Sequence, residues 1–238
     1  MPDRFIFRQV YYRDISIFAA DGEIRSKNHP EPQPCHQTSY ADIVQRRGTS
    51  EFEMPCGGVV NDYVPFYFSP RTAFCYTIHK GNVELRTVEG EVLGTAREAD
   101  RAFVVCRADA VLASHCTCYF SNIALNSLDY EIVFGNTAGE LKDGVIWSLF
   151  DDSPMTSHIP EIGYGGVCQY FHDRANPAAQ QNRSRHRMAE FLVHERLPLS
   201  LVECIVVQNE NVANHVRDVL AANDWDITVL VKQGCFFS

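Results

Sequence analysis

Three stretches of this chain put charged side chains where a folding core alone would not ask for them. Glu190 stands in Arg187-Met188-Ala189-Glu190-Phe191-Leu192-Val193, an alternating run that reads as a strand. A carboxylate there either points to solvent or faces a place where positive charge develops. Arg8 lies inside Phe5-Ile6-Phe7-Arg8-Gln9-Val10-Tyr11, a largely apolar strand. A guanidinium on such a strand either pairs with a carboxylate or holds a phosphate or ribose through its fork of donors. The third stretch, 172–187, carries four Arg against one Asp, a local charge of +3 in a chain of net charge −9. It is either a solvated loop or a contact for a phosphate chain, with Asn and Gln available to base edges. Arg46 and Arg47 close a predicted helix, where a cation simply complements the helix dipole.

The nine cysteines suggest less. His115-Cys116-Thr117-Cys118 is their tightest cluster, and it lacks the paired spacing of a structural zinc site. No metal is expected, and the thiols are expected to be reduced.

The elements that must position these residues follow from apolar period and turn chemistry. Strands are predicted over 4–11, 63–68, 74–79, 104–107, 130–134, 188–194, 201–207 and 227–231. Ile15, Phe18 and Ala19 recur at helical spacing before Gly22. A second helix runs from a Ser39–Asp42 capping box through Arg47 to Gly48. Further helices are expected over 140–150 and 211–222. Many short strands with interspersed helices make a single-domain α+β fold over 1–238, with central mixed or antiparallel sheets and peripheral helices. No GxGxxG or Walker loop is present, which disfavours Rossmann and P-loop readings.

With 238 residues, 45% apolar and 21% charged, the composition is that of a globular chain that can bury a core without staples. No apolar run reaches the roughly 18 residues of a membrane span, and the N-terminus has no signal-peptide pattern. A cytoplasmic location is therefore expected, with no membrane partner. The acidic balance argues against broad binding to duplex DNA by a basic face, while leaving room for a local basic groove.

Asn61-Asp62-Tyr63-Val64-Pro65-Phe66-Tyr67-Phe68-Ser69-Pro70-Arg71 closely resembles the DYVPFYFxPR segment of the DarT family, the DNA ADP-ribosyltransferase toxins of DarT–DarG toxin–antitoxin pairs. Arg187 to Val193 is similar to that family's QAEFLV segment, Ile43 to Arg47 to its IKxRR helix end, and Ser121-Asn122 to its SN pair. The matches run in the family's order over nearly the whole chain. One element departs: the family's first-strand His-x-Thr-His is replaced here by Arg8-Gln9-Val10-Tyr11.

The resemblance implies an ADP-ribosyltransferase fold. It implies a toxin that transfers ADP-ribose from NAD to guanosine or thymidine of single-stranded DNA, with a slight lean to guanosine. Glu190 would be catalytic, together with Arg46 or Arg47. NAD contacts would come from Arg8, Gln9, Tyr11 and Arg71. Tyr63 and Tyr67 share a strand face and would offer a stacking surface. The loop before the catalytic strand would read DNA through Arg174, Gln181, Asn182, Arg183, Arg185 and Arg187. A DarG-type macrodomain antitoxin is the implied partner, and NAD is the co-substrate. A transferase acting on RNA or protein, and a non-catalytic NAD- or nucleic-acid-binding module, are the competing readings.

Overall fold

Phe5, Ile6 and Phe7 are all buried, which places the first strand in the interior of a sheet covered on both faces. The computed structural model describes residues 3–49, 54–125, 131–172 and 176–237. The first half of the chain forms β1 (Phe5–Tyr11), α1 (Ile15–Asp21), β2 (Glu23–Arg25), α2 (Ala41–Arg47), β3 (Tyr63–Tyr67) and α3 (Ala73–His79). Then follow β4 (Glu84–Arg86), β5 (Val92–Thr95), β6 (Arg101–Arg107), α4 (Ala108–Leu112), β7 (Cys118–Ser121) and β8 (Phe134–Gly135). The middle continues with α5 (Ala138–Gly144), α6 (Ser148–Asp151), β9 (Met155–Thr156) and β10 (Val167–Cys168). The chain closes with β11 (Glu190–His194), β12 (Arg196–Pro198), β13 (Val202–Val207), α7 (Glu210–Ala222) and β14 (Thr228–Val231).

Among the described residues, eight strands form one sheet in the order β14-β13-β6-β1-β3-β11-β7-β8. Every neighbouring pair is antiparallel except β13 and β14, which run parallel across α7. The sheet is therefore mixed, and the fold is α+β as expected. Helix α7 packs Val212, Ala213, Val216 and Leu220 inward, and the Asn209 side chain caps its first turn.

One junction of the sheet matters for function. β1 follows β6 residue by residue from Phe5–Arg107 to Tyr11–Arg101, and β11 follows β3 from Glu190–Tyr67 to His194–Tyr63. β1 and β3 share only the Phe7–Tyr67 pair. Beyond it the two halves of the sheet part, and a cleft opens between them.

Several local expectations change. Residues 74–79 form helix α3 rather than a strand. The Thr72 hydroxyl accepts from the Cys75 N–H at 3.1 Å, and Cys75 and Ile78 are buried at helical spacing. The helix expected over 140–150 is two short helices. α5 stops at Gly144, where an added Cβ would meet the Phe120 ring at 2.8 Å. Tyr40, not Ser39, stands at the N-cap of α2, and no side chain caps it. Of the strand expected over 130–134, Phe134 belongs to the two-residue β8, and Tyr130 lies outside the described residues.

Candidate active site

Glu190 opens β11, directly across from Tyr67. Its backbone N–H donates to Ser121 Oγ at 3.1 Å, and that hydroxyl donates to the Ile123 carbonyl at 2.7 Å. The carboxylate is 2% exposed. Arg47 grips it with two parallel bonds, Nη1 to Oε1 at 2.9 Å and Nη2 to Oε2 at 2.8 Å. The Leu125 N–H adds a third donor to Oε1 at 3.3 Å. Burial alone would lower the Arg47 pKa, but Glu190's charge and hydrogen bonds more than offset it and hold the guanidinium above its ordinary value. The two side chains form a bidentate pair, with both partners largely out of water.

Local chemistry explains how Arg47 gets there. The Asn61 side chain donates to the Val44 carbonyl at 3.0 Å, tying α2 to the turn that leads into β3. Arg46 and Arg47 both line the cleft. The resemblance leaves open which arginine acts; in the structure it is Arg47 that bonds Glu190.

The cleft is about 990 Å³ in volume. Arg8, Arg46, Arg47, Arg101 and Arg185 line it, so a basic groove exists inside an acidic protein. Arg8 donates Nη1 to the Pro65 carbonyl at 3.0 Å across the parting of the sheet. Burial lowers its pKa, opposed by Cys35 and, more weakly, by Asp14. Tyr67 is half-buried between these groups. Burial first and the Glu190 charge second push its phenol well above the ordinary value, so it stays a neutral donor.

At the other end of the parting, buried Asp14 accepts from the His36 backbone N–H at 3.2 Å and lies 2.6 Å from His36 Nδ1. Burial raises the Asp14 pKa, and His36 works against the rise. The His36 ring meets Tyr11 edge-on at 4.6 Å. Two residues along the same loop, the Thr38 hydroxyl accepts from Arg101 Nη2 at 2.9 Å. Burial draws the Arg101 pKa down to about 10. Asp14 and Arg101 together pin the loop that runs into α2.

The expected site residues divide. Glu190, Arg46, Arg47, Arg8, Gln9, Tyr11, Tyr67 and Arg185 come together in the cleft. Tyr63 reaches its wall, but its ring is 1% exposed in a cluster with Leu125 and Leu192. Its hydroxyl is 2.7 Å from Cys56 Sγ, so a free stacking face at Tyr63 is corrected to a packing role. Arg71 is corrected as well: its guanidinium lies 4.3 Å over the Phe237 ring and donates to the Gly234 carbonyl, away from the cleft.

The segment before β11 departs most. Arg187 is 0% exposed. Its Nη1 donates to the carbonyls of Leu149, Cys168 and Tyr170 at 3.2, 2.9 and 2.9 Å. Arg183 is buried against Asp152, with Nη2 to Oδ2 at 2.6 Å. Neither reaches a DNA strand from these positions; both knit the segment to α6 and β10. Arg185 and Ser184 face the cleft, Gln181 and Asn182 are exposed, and Arg174 lies outside the described residues. Among the described residues no group of three or more His, Cys, Asp or Glu is placed to hold a metal ion.

Sequence reading missed Asp14, His36, Thr38 and Arg101. Arg101 carried a faint signal, a cation opening the otherwise apolar run Ala102 to Cys106. The others lie in a proline-rich loop or at a strand end, where periodicity is silent.

A family model described as "ssDNA thymidine ADP-ribosyltransferase, DarT" matches residues 13–237. The chain is similar to the DNA ADP-ribosyl transferase of Thermus sp. (strain 2.9), 26% identical over 200 residues, which cover 84% of this chain and 78% of that protein. In structure it matches Thermus sp. 2.9 DarT in complex with ADP-ribosylated ssDNA, with TM-score 0.74 and 21% identity. That match covers 98% of this chain and 96% of the other. The NAD+ complex of the same protein matches with TM-score 0.69 at 21% identity, covering 98% of each chain. A further match is Thermosipho africanus DarTG in complex with ADP-ribose, TM-score 0.65 and 16% identity, covering 98% of this chain and 51% of that one.

Proposed function

The chain belongs to the DarT family of DNA ADP-ribosyltransferases, and from that membership we propose that it transfers ADP-ribose from NAD to a base of single-stranded DNA, releasing nicotinamide. The observation that carries this reading is the buried Glu190 carboxylate, gripped by two bonds from Arg47 at the base of a basic cleft.

Breaking the N-glycosidic bond leaves the ribose as an oxocarbenium-like species, with positive charge on its ring. A fixed carboxylate in a site shielded from water stabilises that charge strongly. Among the described residues Oε2 accepts only from Arg47, whereas Oε1 accepts from Arg47 and Leu125. Oε2 therefore has the spare lone pairs to hold a ribose hydroxyl or to take a proton. In the step itself a base nitrogen bonds to the ribose C1 that nicotinamide leaves. The electrons of the broken bond depart with neutral nicotinamide, and the base's proton passes to Glu190 as general base. Arg8 is suited to the NAD diphosphate, and Arg185 and Ser184 to the incoming strand. A base within a duplex is out of reach of a buried carboxylate, so single-stranded or flipped DNA is the substrate.

The family description favours thymidine as acceptor, where the resemblance read from the motifs leans slightly to guanosine. A toxin of this activity needs restraint, which supports a DarG-type macrodomain antitoxin as partner. Action on cellular DNA with NAD supports a cytoplasmic location; among the described residues no helix is long and apolar enough to cross a membrane.

Mass spectrometry of single-stranded oligonucleotides incubated with NAD and protein tests the reading. Thymine-free and guanine-free strands are compared. An adduct that requires thymine supports the thymidine reading, and one that requires guanine replaces it. No adduct on DNA, with transfer to RNA or protein instead, would overturn the acceptor class.

A further inference from the structure

Further along the cleft from Glu190, a second set of polar atoms has no hydrogen-bond partner among the described residues. Neither Gln9 Nε2 nor Gln9 Oε1 has a hydrogen-bond partner among the described residues, although both atoms are buried. The same is true of Arg101 Nε and Nη1, on a side chain 2% exposed. Buried donors and acceptors are rarely left unmatched, so each such group asks for an explanation. Both residues line the cleft.

The sheet register relates the two. Gln9 stands opposite Phe103 and Arg101 opposite Tyr11, so the two side chains share one face of the β1–β6 ladder as diagonal neighbours. Thr38 fixes the Arg101 guanidinium through Nη2, leaving its other nitrogens aimed elsewhere. The Glu190–Tyr67 pair lies level with Phe7, and Arg101 lies level with Tyr11. Four strand residues separate these levels, on the order of 13 Å.

We propose that Gln9 and Arg101 read the adenine ring of NAD. This rests on the functional reading above, which puts the nicotinamide ribose at Glu190 and hence the adenine at the far end of the dinucleotide. The Gln9 amide offers one donor and one acceptor side by side, the complement of the adenine 6-amino group and N7, an edge at which hypoxanthine presents two acceptors. An Arg101 N–H donates to a further ring nitrogen. A diphosphate fits less well, since it has no donor and leaves Gln9 Oε1 unmatched. Phe74 and Phe103, also in the wall, supply apolar surface for the ring faces.

The test compares NAD with the dinucleotide that carries hypoxanthine in place of adenine. The two share their nicotinamide, riboses and diphosphate, and differ at the edge that Gln9 would read. With a single-stranded oligonucleotide as acceptor, the wild-type protein is expected to favour NAD by about tenfold in kcat/KM. Gln9→Leu should shrink that preference to less than about twofold, and Gln9→Asn, whose amide falls short, should shrink it too. Both substrates are measured on one preparation, so the ratio does not depend on the fraction folded. Equal use of the two dinucleotides by the wild type, or a tenfold preference surviving in Gln9→Leu, would overturn the assignment. Absence of transfer from either dinucleotide by the wild type would instead remove the functional reading, and this assignment with it.

Discussion

Arg47 is half-buried and Arg187 fully buried, and both lie close in sequence to other arginines. Arg47 ends α2 and meets a carboxylate at the base of the cleft. Arg187 precedes β11 by only three positions and meets three backbone carbonyls in the interior. The first partner is a group whose charge a reaction can use. The second partners are backbone carbonyls of short elements and of the chain beside them. A cluster of arginines in sequence is therefore not a surface; what each guanidinium is bonded to decides whether it serves chemistry or architecture.

That contrast can be broken or sharpened by substitution. Glu190→Gln keeps the shape and one acceptor oxygen but removes the charge, so transfer should fall by about a thousandfold or more with the fold retained. A rate measurement with circular dichroism checks both halves. Arg47→Ala strips the partner from a buried carboxylate. It should lower the rate by about a hundredfold and cost about 3 kcal/mol of stability. Arg187→Ala should act through stability alone: about 3 kcal/mol, or roughly 6–12 °C in Tm. The surviving folded fraction should keep its NAD affinity; a full Tm with lost DNA binding would instead return Arg187 to the DNA contacts.

Arg185→Ala is the surface member of the comparison. It should leave Tm nearly unchanged and reduce the salt slope of single-strand binding by about 0.7. An unchanged slope would exclude a phosphate contact there. The smallest effect concerns Asp14, whose pKa is raised by burial. Above the ordinary carboxylate pKa the unfolded chain has lost a proton that the native state still binds. Stability from this group is therefore full at lower pH and declines as pH rises through the raised value. Relative to wild type, Asp14→Asn should lose that decline, seen as a difference in Tm that varies with pH above about 4.

The same contrast marks what was legible in the sequence. β1, β3, β11, β13 and α7 follow from apolar period because their packing repeats with it. Glu190 and the Arg46–Arg47 pair followed from short motifs, the first on β11 and the second at the end of α2. α3 was not legible as a helix, since Phe74, Tyr76 and Ile78 imitate a strand and the decisive cap is a single Thr72 hydroxyl. The fates of Arg183 and Arg187 were hidden because charge counting assigns no depth. Arg101 and the Asp14–His36 pair depend on contacts between β6, the end of β1 and a proline-rich loop, and no local pattern encodes such a meeting.

The central claim is that Glu190, held by Arg47, drives transfer of ADP-ribose from NAD to a DNA base. The most direct measurement is the intact mass of a single-stranded oligonucleotide containing all four bases after incubation with NAD and either wild-type or Glu190→Gln protein. The account predicts one ADP-ribose on the strand with wild type and an unmodified strand with the variant, both proteins folded and both binding NAD. Modification by Glu190→Gln at the wild-type rate would contradict it.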